Sequence, residues 1–479
     1  MGAMPCPRLV EPFAAAAQQF ERITLFLRSG EACSLTHSDL ERTLEAQGRE
    51  LLRQLLQGHL DLRRPGAATG PVSDADGGVR SRAQIQTRGL ESIFGTVTVG
   101  RTGYGTEGAA SLHPLDGALN LPREKYSHEV RRRVAVESAK SSFDEGVKSL
   151  EAYTGAHVPK RQFEQLVVRA AEDFDTFYEI RHDCAQADPN TGPILVLTVD
   201  GKGVVMRPED LREATQRAAS TRADTFTARL GRGRRLHAKR MACVAAVYTI
   251  DPFVRTPEDI LPPVGTTAER KPRPRPEHKR VWASLEQTPD EVITAMFDEA
   301  DHRDPHRQKT WVALVDGNTT QIRILRTLAR KRHIPLQIVV DFIHVAEYVW
   351  KAGLAFHPAD SEALDAWVRV RLLEILRGHA SHVAAGMRRS ATLRSLPAAD
   401  RKPVDAGAGY LLTYAPYLRY QTALSTGLPI ASGIIEGACR HLVNDRMDLT
   451  GARWSLPGAE AVLQLRALRS SDDFDDYWV

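Results

Sequence analysis

Short runs of apolar, mostly β-branched residues recur in the second half of the chain. The clearest are Ile194–Val199, Met241–Ile250, Trp311–Val315 and Leu336–Val340. Runs of this length with little polar alternation predict strands that are buried on both faces. Apolar positions at helical spacing, as over 321–332, separate several of these runs. The second half is therefore predicted to form an α/β sheet domain.

Helical patterns dominate the rest of the chain. Residues 344–427 are mostly helical in pattern and separate the last strand from a final helical stretch. We predict six segments: a helical N-terminal region (1–64), a linker (65–79), a small β hairpin with a helix-turn-helix-like region (80–185), the first part of the sheet domain (190–345), an all-helical insertion (346–428) and the end of the sheet domain (429–479).

The helix-turn-helix-like pattern lies between Phe143 and Ala171. A helical stretch ends at Tyr153, Thr154-Gly155 form a tight turn, and a second helical stretch starts at Pro159. This outline is typical of a DNA-binding helix-turn-helix, and a plain helical hairpin has the same outline. Both interpretations remain open at this point.

Composition and charge add local rather than global information. The 479 residues are 42% hydrophobic and carry a formal net charge of +4, typical of a globular protein of two to four domains. Residues 229–240 and 270–280 each hold six Lys or Arg, which fits a polyanionic partner or, alternatively, a solvated face and an arginine-rich loop. Five scattered cysteines without a C-x-x-C pair favour a reducing cytoplasm over a disulfide framework or zinc ribbon.

Three acidic residues stand where their side chains could converge. Asp200 and Asp316 each end an apolar run and each precede a glycine, whereas Glu436 lies in the first turns of a predicted helix. Strand ends of an α/β sheet gather ligands at one edge. Carboxylates crowd together at a large electrostatic cost unless a hard divalent cation binds them. The pattern predicts an RNase H-type site for two-metal phosphodiester chemistry.

Further residues near these acids are candidates for metal support or DNA contact. Asp341 and His344 open the helix after the last strand, where they fit either a helix cap and a packed histidine or a pair beside the metals. Trp454 fits either base stacking or core packing, and Arg440 fits either an ion pair with Glu436 or contact with the scissile phosphate. The full set of expected DNA-contacting or supporting residues is Asp341, His344, Arg440, His441, Arg446, Arg453, Trp454, Arg232, Arg234, Arg235, Lys239 and Arg240.

Long strings of the sequence resemble the ISKra group of bacterial insertion-sequence transposases. They are LHPLDGALNLP (112–122), VDGKGVVMRPEDLREAT (199–215), RPRPEHKRVWASLE (273–286), WVALVDGN (311–318), VVDFIHVAEYVWKA (339–352), HASHVAAGMRRSAT (379–392) and GIIEGACRHLVNDRMDLTGARWSLPGAEAVLQLRALRSS (433–471). The resemblance runs from about residue 80 onward, and residues 1–65 match least.

The resemblance implies an α/β RNase H-like catalytic core with a large all-helical insertion, preceded by a mainly helical N-terminal DNA-binding region. It carries a DDE triad onto Asp200, Asp316 and Glu436, and it likens Asp341 and His344 to the Asp-x-x-His element of Mutator-like enzymes. The implied cofactor is two Mg²⁺ ions, which Mn²⁺ could replace. The implied partners are element ends and target DNA, bound by a homodimer or larger assembly in the cytoplasm at the nucleoid, without a membrane. The alternatives are an RNase H-like nuclease or resolvase and a non-catalytic DNA-binding protein derived from a transposase.

Overall fold

A computed structural model describes residues 11–63, 65–68, 70–184, 191–220, 238–263, 272–449 and 451–478. The chain divides into two compact units, Met1–Ala170 and Ala171–Val479. This boundary falls inside the segment 80–185 that the sequence predicted as one region. The helix that starts at Phe174 therefore belongs to the second unit.

The first unit combines helices with a long β hairpin. Its helices are α1 (Ala14–Leu27), α2 (Gly30–Ser34), α3 (His37–Leu62), α4 (Pro114–Ala118), α5 (His128–Lys140), α6 (Phe143–Tyr153) and α7 (Lys160–Ala170). Its strands are β1 (Val72–Ser73), β2 (Val79–Arg80), β3 (Arg82–Ser92), β4 (Gly95–Thr106) and β5 (Ala109–Leu112). Buried Leu90, Val97 and Val99 of the hairpin form a core with Leu115 of α4, and Leu56 and Leu60 of α3 pack against it.

Helices α6 and α7 occupy the stretch in which the sequence predicted a helix-turn-helix-like pair. The Ser142 hydroxyl caps α6 by accepting a hydrogen bond from the backbone N–H of Glu145. Phe163 and Leu166 bury one face of α7. On the other face, Lys160 pairs with Asp144 at 2.7 Å, so this lysine is already partnered within the unit.

A mixed five-stranded sheet is the centre of the second unit. Its strands are β6 (Ile194–Val205), β7 (Lys239–Ile250), β8 (Glu277–Ser284), β9 (Thr310–Val315) and β10 (Gln337–Val340), in the order β10-β9-β6-β7-β8. The pairs β6–β7 and β7–β8 are antiparallel, whereas β6–β9 and β9–β10 are parallel. The domain is therefore mixed α/β, as the sequence pattern predicts.

Helices surround this sheet and form the segment between β10 and the end of the chain. They are α8 (Phe174–Cys184), α9 (Glu213–Ser220), α10 (Pro257–Ile260), α11 (Pro289–Arg303), α12 (Thr319–Lys331), α13 (Phe342–Gly353), α14 (Glu362–Leu376), α15 (Ala380–Leu393), α16 (Ala398–Tyr414), α17 (Tyr420–Ser425), α18 (Gly433–Ala438), α19 (Asp445–Met447) and α20 (Leu456–Ser470). Short 3₁₀ turns span Pro208–Asp210, Ala415–Tyr417 and Asp476–Trp478, and a π turn spans Cys439–Asn444. None of the helices in the described ranges is both long and apolar enough to cross a bilayer.

The helical segment α13–α17 leaves and rejoins the sheet at neighbouring points. The backbone N–H of Phe342, at the start of α13, donates to the carbonyl oxygen of Ile430 at 2.9 Å. Next to it, the backbone N–H of Ser432 donates to the carboxylate of Asp341 at 2.8 Å. The helices between these positions therefore form an insertion whose two ends are hydrogen-bonded to each other, which we call its closed base.

Candidate active site

A cavity of about 460 Å³ opens where β6 and β9 separate. Their parallel pairing ends at Thr198 and Leu314, while β6 continues to Val205 and pairs with β7 alone. The sequence suggested that Asp200 ends its strand. Instead, Asp200 lies within β6, two residues after Thr198, the last residue of β6 that pairs with β9. The sheet opens at this point, and acidic residues line the opening: Asp200, Asp316, Asp341, Glu347, Glu436 and Asp445.

Asp316 follows β9 directly and belongs to a constrained loop. Its carboxylate accepts a hydrogen bond from the backbone N–H of Asn318 at 2.8 Å, and Asn318 in turn caps α12. Burial raises the pKa of Asp316, and the negative charge of Asp200 raises it further. Asp200 is thus close enough to Asp316 to disfavour the ionisation of the Asp316 carboxyl.

Two tyrosines of the helical insertion hold this loop from behind. The Tyr410 hydroxyl donates to the carbonyl oxygen of Asp316 at 2.9 Å, and the Tyr414 hydroxyl donates to that of Gly317. Gly317 has φ +96, a conformation that L side chains rarely adopt. The sequence showed these tyrosines only as residues at helical spacing, which is typical of packing, and gave no signal of their contact with the loop.

Asp200 is also held by hydrogen bonds to both of its carboxylate oxygens. The backbone N–H of Gly201 donates to Oδ1 at 2.6 Å, and the thiol of Cys439 donates to Oδ2 at 3.3 Å. Burial and the charge of Asp200 raise the pKa of Cys439, so this cysteine remains a protonated donor. Sequence reasoning missed Cys439, whose only signal was its position three residues after Glu436.

Glu436 lies in the first turn of α18, and its side chain is exposed on the cavity wall. The chain continues from α18 into the π turn, and Arg440 in that turn lines the same cavity. The two side chains therefore line the same cavity. Single π turns within α-helices are frequently found at functional sites.

Asp341 fixes the start of the helix that bears Glu436. It is buried, caps α13 by accepting from the backbone N–H of Ile343 at 2.7 Å, and accepts from both the backbone N–H and the hydroxyl of Ser432. Ser432 immediately precedes α18. Asp341 is thus a helix cap that also joins two elements of the site. His344 is half-buried on the cavity wall and lies close to Asp316. Its charge offsets part of the rise in the pKa of the Asp316 carboxyl.

The donor set of this cavity fits hard divalent cations. Carboxylate oxygens on a partly buried wall are the ligands that Mg²⁺ prefers. Within the described ranges, however, no three His, Cys, Asp or Glu side chains are already arranged around one ion position. Asp200 and Asp316 are restrained by hydrogen bonds, whereas exposed Glu436 has room to reorient.

Two residues that the sequence suggested as DNA contacts, Arg446 and Trp454, are buried in the structure. Arg446 is 2% exposed and lies with its guanidinium carbon 4.7 Å from the ring centroid of Trp454. Trp454 is itself buried, and its indole N–H donates to the carbonyl oxygen of Met447 at 3.1 Å. Neither side chain reaches the surface, because each covers the other. Both residues therefore serve packing in this structure.

The other expected DNA-contacting residues differ in their surroundings. Arg240 donates to the backbone carbonyl oxygens of Leu285 and Asp210, at 2.8 and 3.1 Å, so it joins two loops. His441 is exposed and contacts Asp445 at 2.8 Å. Lys239 and Arg453 are exposed, whereas Arg232, Arg234 and Arg235 lie outside the described residues.

Comparison with known proteins adds little to this geometry. No protein-family model matches the chain, and no curated protein matches its sequence. Among solved structures, the chain is similar to a Drosophila P element transposase strand transfer complex, at 9% sequence identity and a TM-score of 0.27. That alignment covers 74% of this chain and 81% of the other chain. A TM-score this low does not establish a common fold, so the function must be argued from the site.

Proposed function

We propose that the chain is a DDE transposase with an RNase H-like core. The single observation that carries the proposal is that Asp200, Asp316 and Glu436 line one cavity, two of them from neighbouring parallel strands and one from a helix that follows the insertion. The sheet order β10-β9-β6-β7-β8, with three antiparallel strands extended by two parallel ones, supports the proposed core. The same three residues carry the triad in the resemblance to ISKra-group transposases.

Asp200, Asp316 and Glu436 would hold the divalent ions. When bound, two Mg²⁺ ions would supply an activated oxygen nucleophile and would neutralise charge on the leaving oxygen. The protein's part is to keep the first two carboxylates in place through the N–H groups of Gly201 and Asn318. Lys202 and Arg440 on the cavity wall provide positive charge for the scissile phosphate.

The reaction has two displacements at phosphorus. First, the oxygen of water forms a bond to the phosphorus at the element end, the bond to the 3′ oxygen breaks, and that oxygen takes up a proton. The freed 3′ hydroxyl then attacks a phosphodiester of target DNA, losing its proton as the target's own 3′ oxygen leaves. No covalent bond between protein and DNA is needed in either step.

The test uses purified full-length protein and duplex DNA from the two borders of its own genomic locus, with Mg²⁺ or with EDTA. We expect nicks at a repeat boundary and joining of the new ends to a target plasmid, both dependent on Mg²⁺. Asp316→Asn should abolish both products, whereas Asp400→Asn, an exposed acid at the start of α16, should retain them. Nicks without joined products would favour an RNase H-like nuclease, and binding without any cleavage would favour a non-catalytic DNA-binding protein.

A further inference from the structure

An uncompensated row of arginines lies on the exposed face of α12. Arg323, Arg326 and Arg330 are three and four residues apart, so they lie along one side of the helix, and all three are exposed. The opposite side of α12 is buried through residues such as Leu325 and Ala329. The row therefore forms part of the polar, solvent-facing side of an amphipathic helix.

The ion pairing of these arginines differs from that of Arg332. Arg332, just beyond α12, pairs with Asp298 and Asp301, both at 2.7 Å. Among the described residues, by contrast, no carboxylate forms an ion pair with Arg323, Arg326 or Arg330. Three positive charges consequently remain on this face for an external anion.

The row lines a groove between α12 and the end of α16. A depression of about 360 Å³ lies between Arg323, Arg326 and Arg330 on one side and Tyr414 and Tyr417 on the other. Arg326 donates to the Tyr417 hydroxyl at 3.3 Å. A second depression of about 340 Å³ continues past Arg326 and Arg330 towards β10. We call these two depressions together the arginine groove.

Tyr414 joins the groove to the catalytic loop. It lines the groove and also donates its hydroxyl hydrogen to the carbonyl oxygen of Gly317, the residue after Asp316. Thr319, at the start of α12, lines the same depression. A polymer bound in the groove would therefore contact Thr319, which is three residues after Asp316 in the chain.

The dimensions of the groove match a nucleic-acid strand. Arg323 and Arg330 are seven residues apart, which at 1.5 Å per residue corresponds to about 10 Å along the helix axis. A DNA strand carries one phosphate per about 3.4 Å of helix axis, so about four successive phosphates span this length. The planar guanidinium group of arginine can donate two hydrogen bonds to two oxygens of the same phosphate.

We infer that the arginine groove binds the phosphate backbone of a DNA strand on its way to the carboxylate cavity. The identity of the partner as DNA rests on the proposed function. Arg323, Arg326 and Arg330 would contact three of these phosphates, and the hydroxyl of Thr319 would donate to a phosphate oxygen nearest the cavity. Such contacts position the strand and carry no sequence preference.

The test compares two variants that remove the same charge. Arg323→Gln/Arg330→Gln leaves the contact between Arg326 and Tyr417 intact. The control, Arg389→Gln/Lys402→Gln, removes two exposed charges from α15 and α16. Binding of a fluorescent border duplex is measured by anisotropy in EDTA over a range of KCl concentrations.

The groove variant should bind about tenfold more weakly near 0.1 M salt, and the slope of log K against log salt should fall by about 2. The control variant should keep the slope of the unchanged protein. Equal slopes for all three proteins would overturn the inference, and so would an equal loss in both variants, because the loss would then reflect net charge rather than the groove.

A cleavage assay in Mg²⁺ separates this inference from the proposed function. If the unchanged protein does not cleave but the groove variant still binds more weakly than the control, the groove stands and the catalytic proposal fails. If cleavage occurs and depends on Asp316 while groove and control variants bind alike, the catalytic proposal stands and the groove inference fails.

Discussion

Replacing Asp341 by alanine should destabilise the second unit far more than the loss of an ordinary helix cap. The buried carboxylate accepts hydrogen bonds from the backbone N–H of Ile343 and from both the N–H and the hydroxyl of Ser432. Loss of the cap costs about 1 kcal/mol. The two donors of Ser432, which is also buried, would lose a charged acceptor, at about 1–2 kcal/mol each after allowance for non-additivity. We expect a total of about 3–5 kcal/mol.

Tryptophan fluorescence during urea unfolding measures this loss selectively. All six tryptophans of the chain (Trp282, Trp311, Trp350, Trp367, Trp454 and Trp478) lie in the second unit, so their emission follows that unit and not the first. The matched control is Ser361→Ala, which removes only the hydroxyl that caps α14 and should cost about 1 kcal/mol. If Asp341→Ala costs no more than Ser361→Ala, the link between Asp341 and Ser432 does not support the fold as argued.

Three further changes probe the same site. Asp316→Asn should raise the urea midpoint at pH 7 in EDTA. Burial and the charge of Asp200 raise the pKa of Asp316, so the ionised carboxylate destabilises the folded state. The stability gained by the substitution should disappear as the pH falls through that raised pKa. An unchanged midpoint at pH 7 would contradict this account. Gly317→Ala should cost about 1–3 kcal/mol, because φ is +96 and a Cβ would lie 2.8 Å from a tyrosine hydroxyl, whereas Gly386→Ala in an open helix position should stabilise by about 0.5–1 kcal/mol. Cys439→Ala should lower Mg²⁺-dependent cleavage about tenfold, because it removes a hydrogen bond to the Asp200 carboxylate. Cys439→Ser keeps a hydrogen-bond donor and should retain most of the cleavage activity. Equal activity of the two variants would show that Cys439 does not position Asp200.

The sequence predicted the elements of the sheet domain better than their connections. Continuous apolar runs identified the positions of β6, β7, β9 and β10, because strands buried on both faces require such runs. The bounds were less accurate. β6 extends past Asp200 to Val205, since its pairing with β7 continues through glycines and a lysine that carry no strand signal.

The remainder of the site depends on contacts between residues far apart in the chain. Asp341 and Ser432 are 91 residues apart, and Cys439 and Asp200 are 239 apart. Local periodicity contains no information about such pairs. The same limit explains Trp454 and Arg446, whose mutual burial depends on packing within the folded domain and not on either residue's usual exposure.

The helical insertion is tied to the sheet domain in two places. At its closed base, the sheet domain does not depend on the length of the insertion, whereas the loop that carries Asp316 depends on residues of the insertion. Because the chain enters at Phe342 and returns at Ile430 through a direct backbone hydrogen bond, the sheet needs no rearrangement to accept helices there, and inserts of different length cost little additional loop entropy. Helix α16 of the insertion has a different role, because the hydroxyls of Tyr410 and Tyr414 donate hydrogen bonds to the loop that carries Asp316. A shorter relative of this domain could therefore lose its outer helices, but it would have to replace those two donors to keep the carboxylate of Asp316 in place.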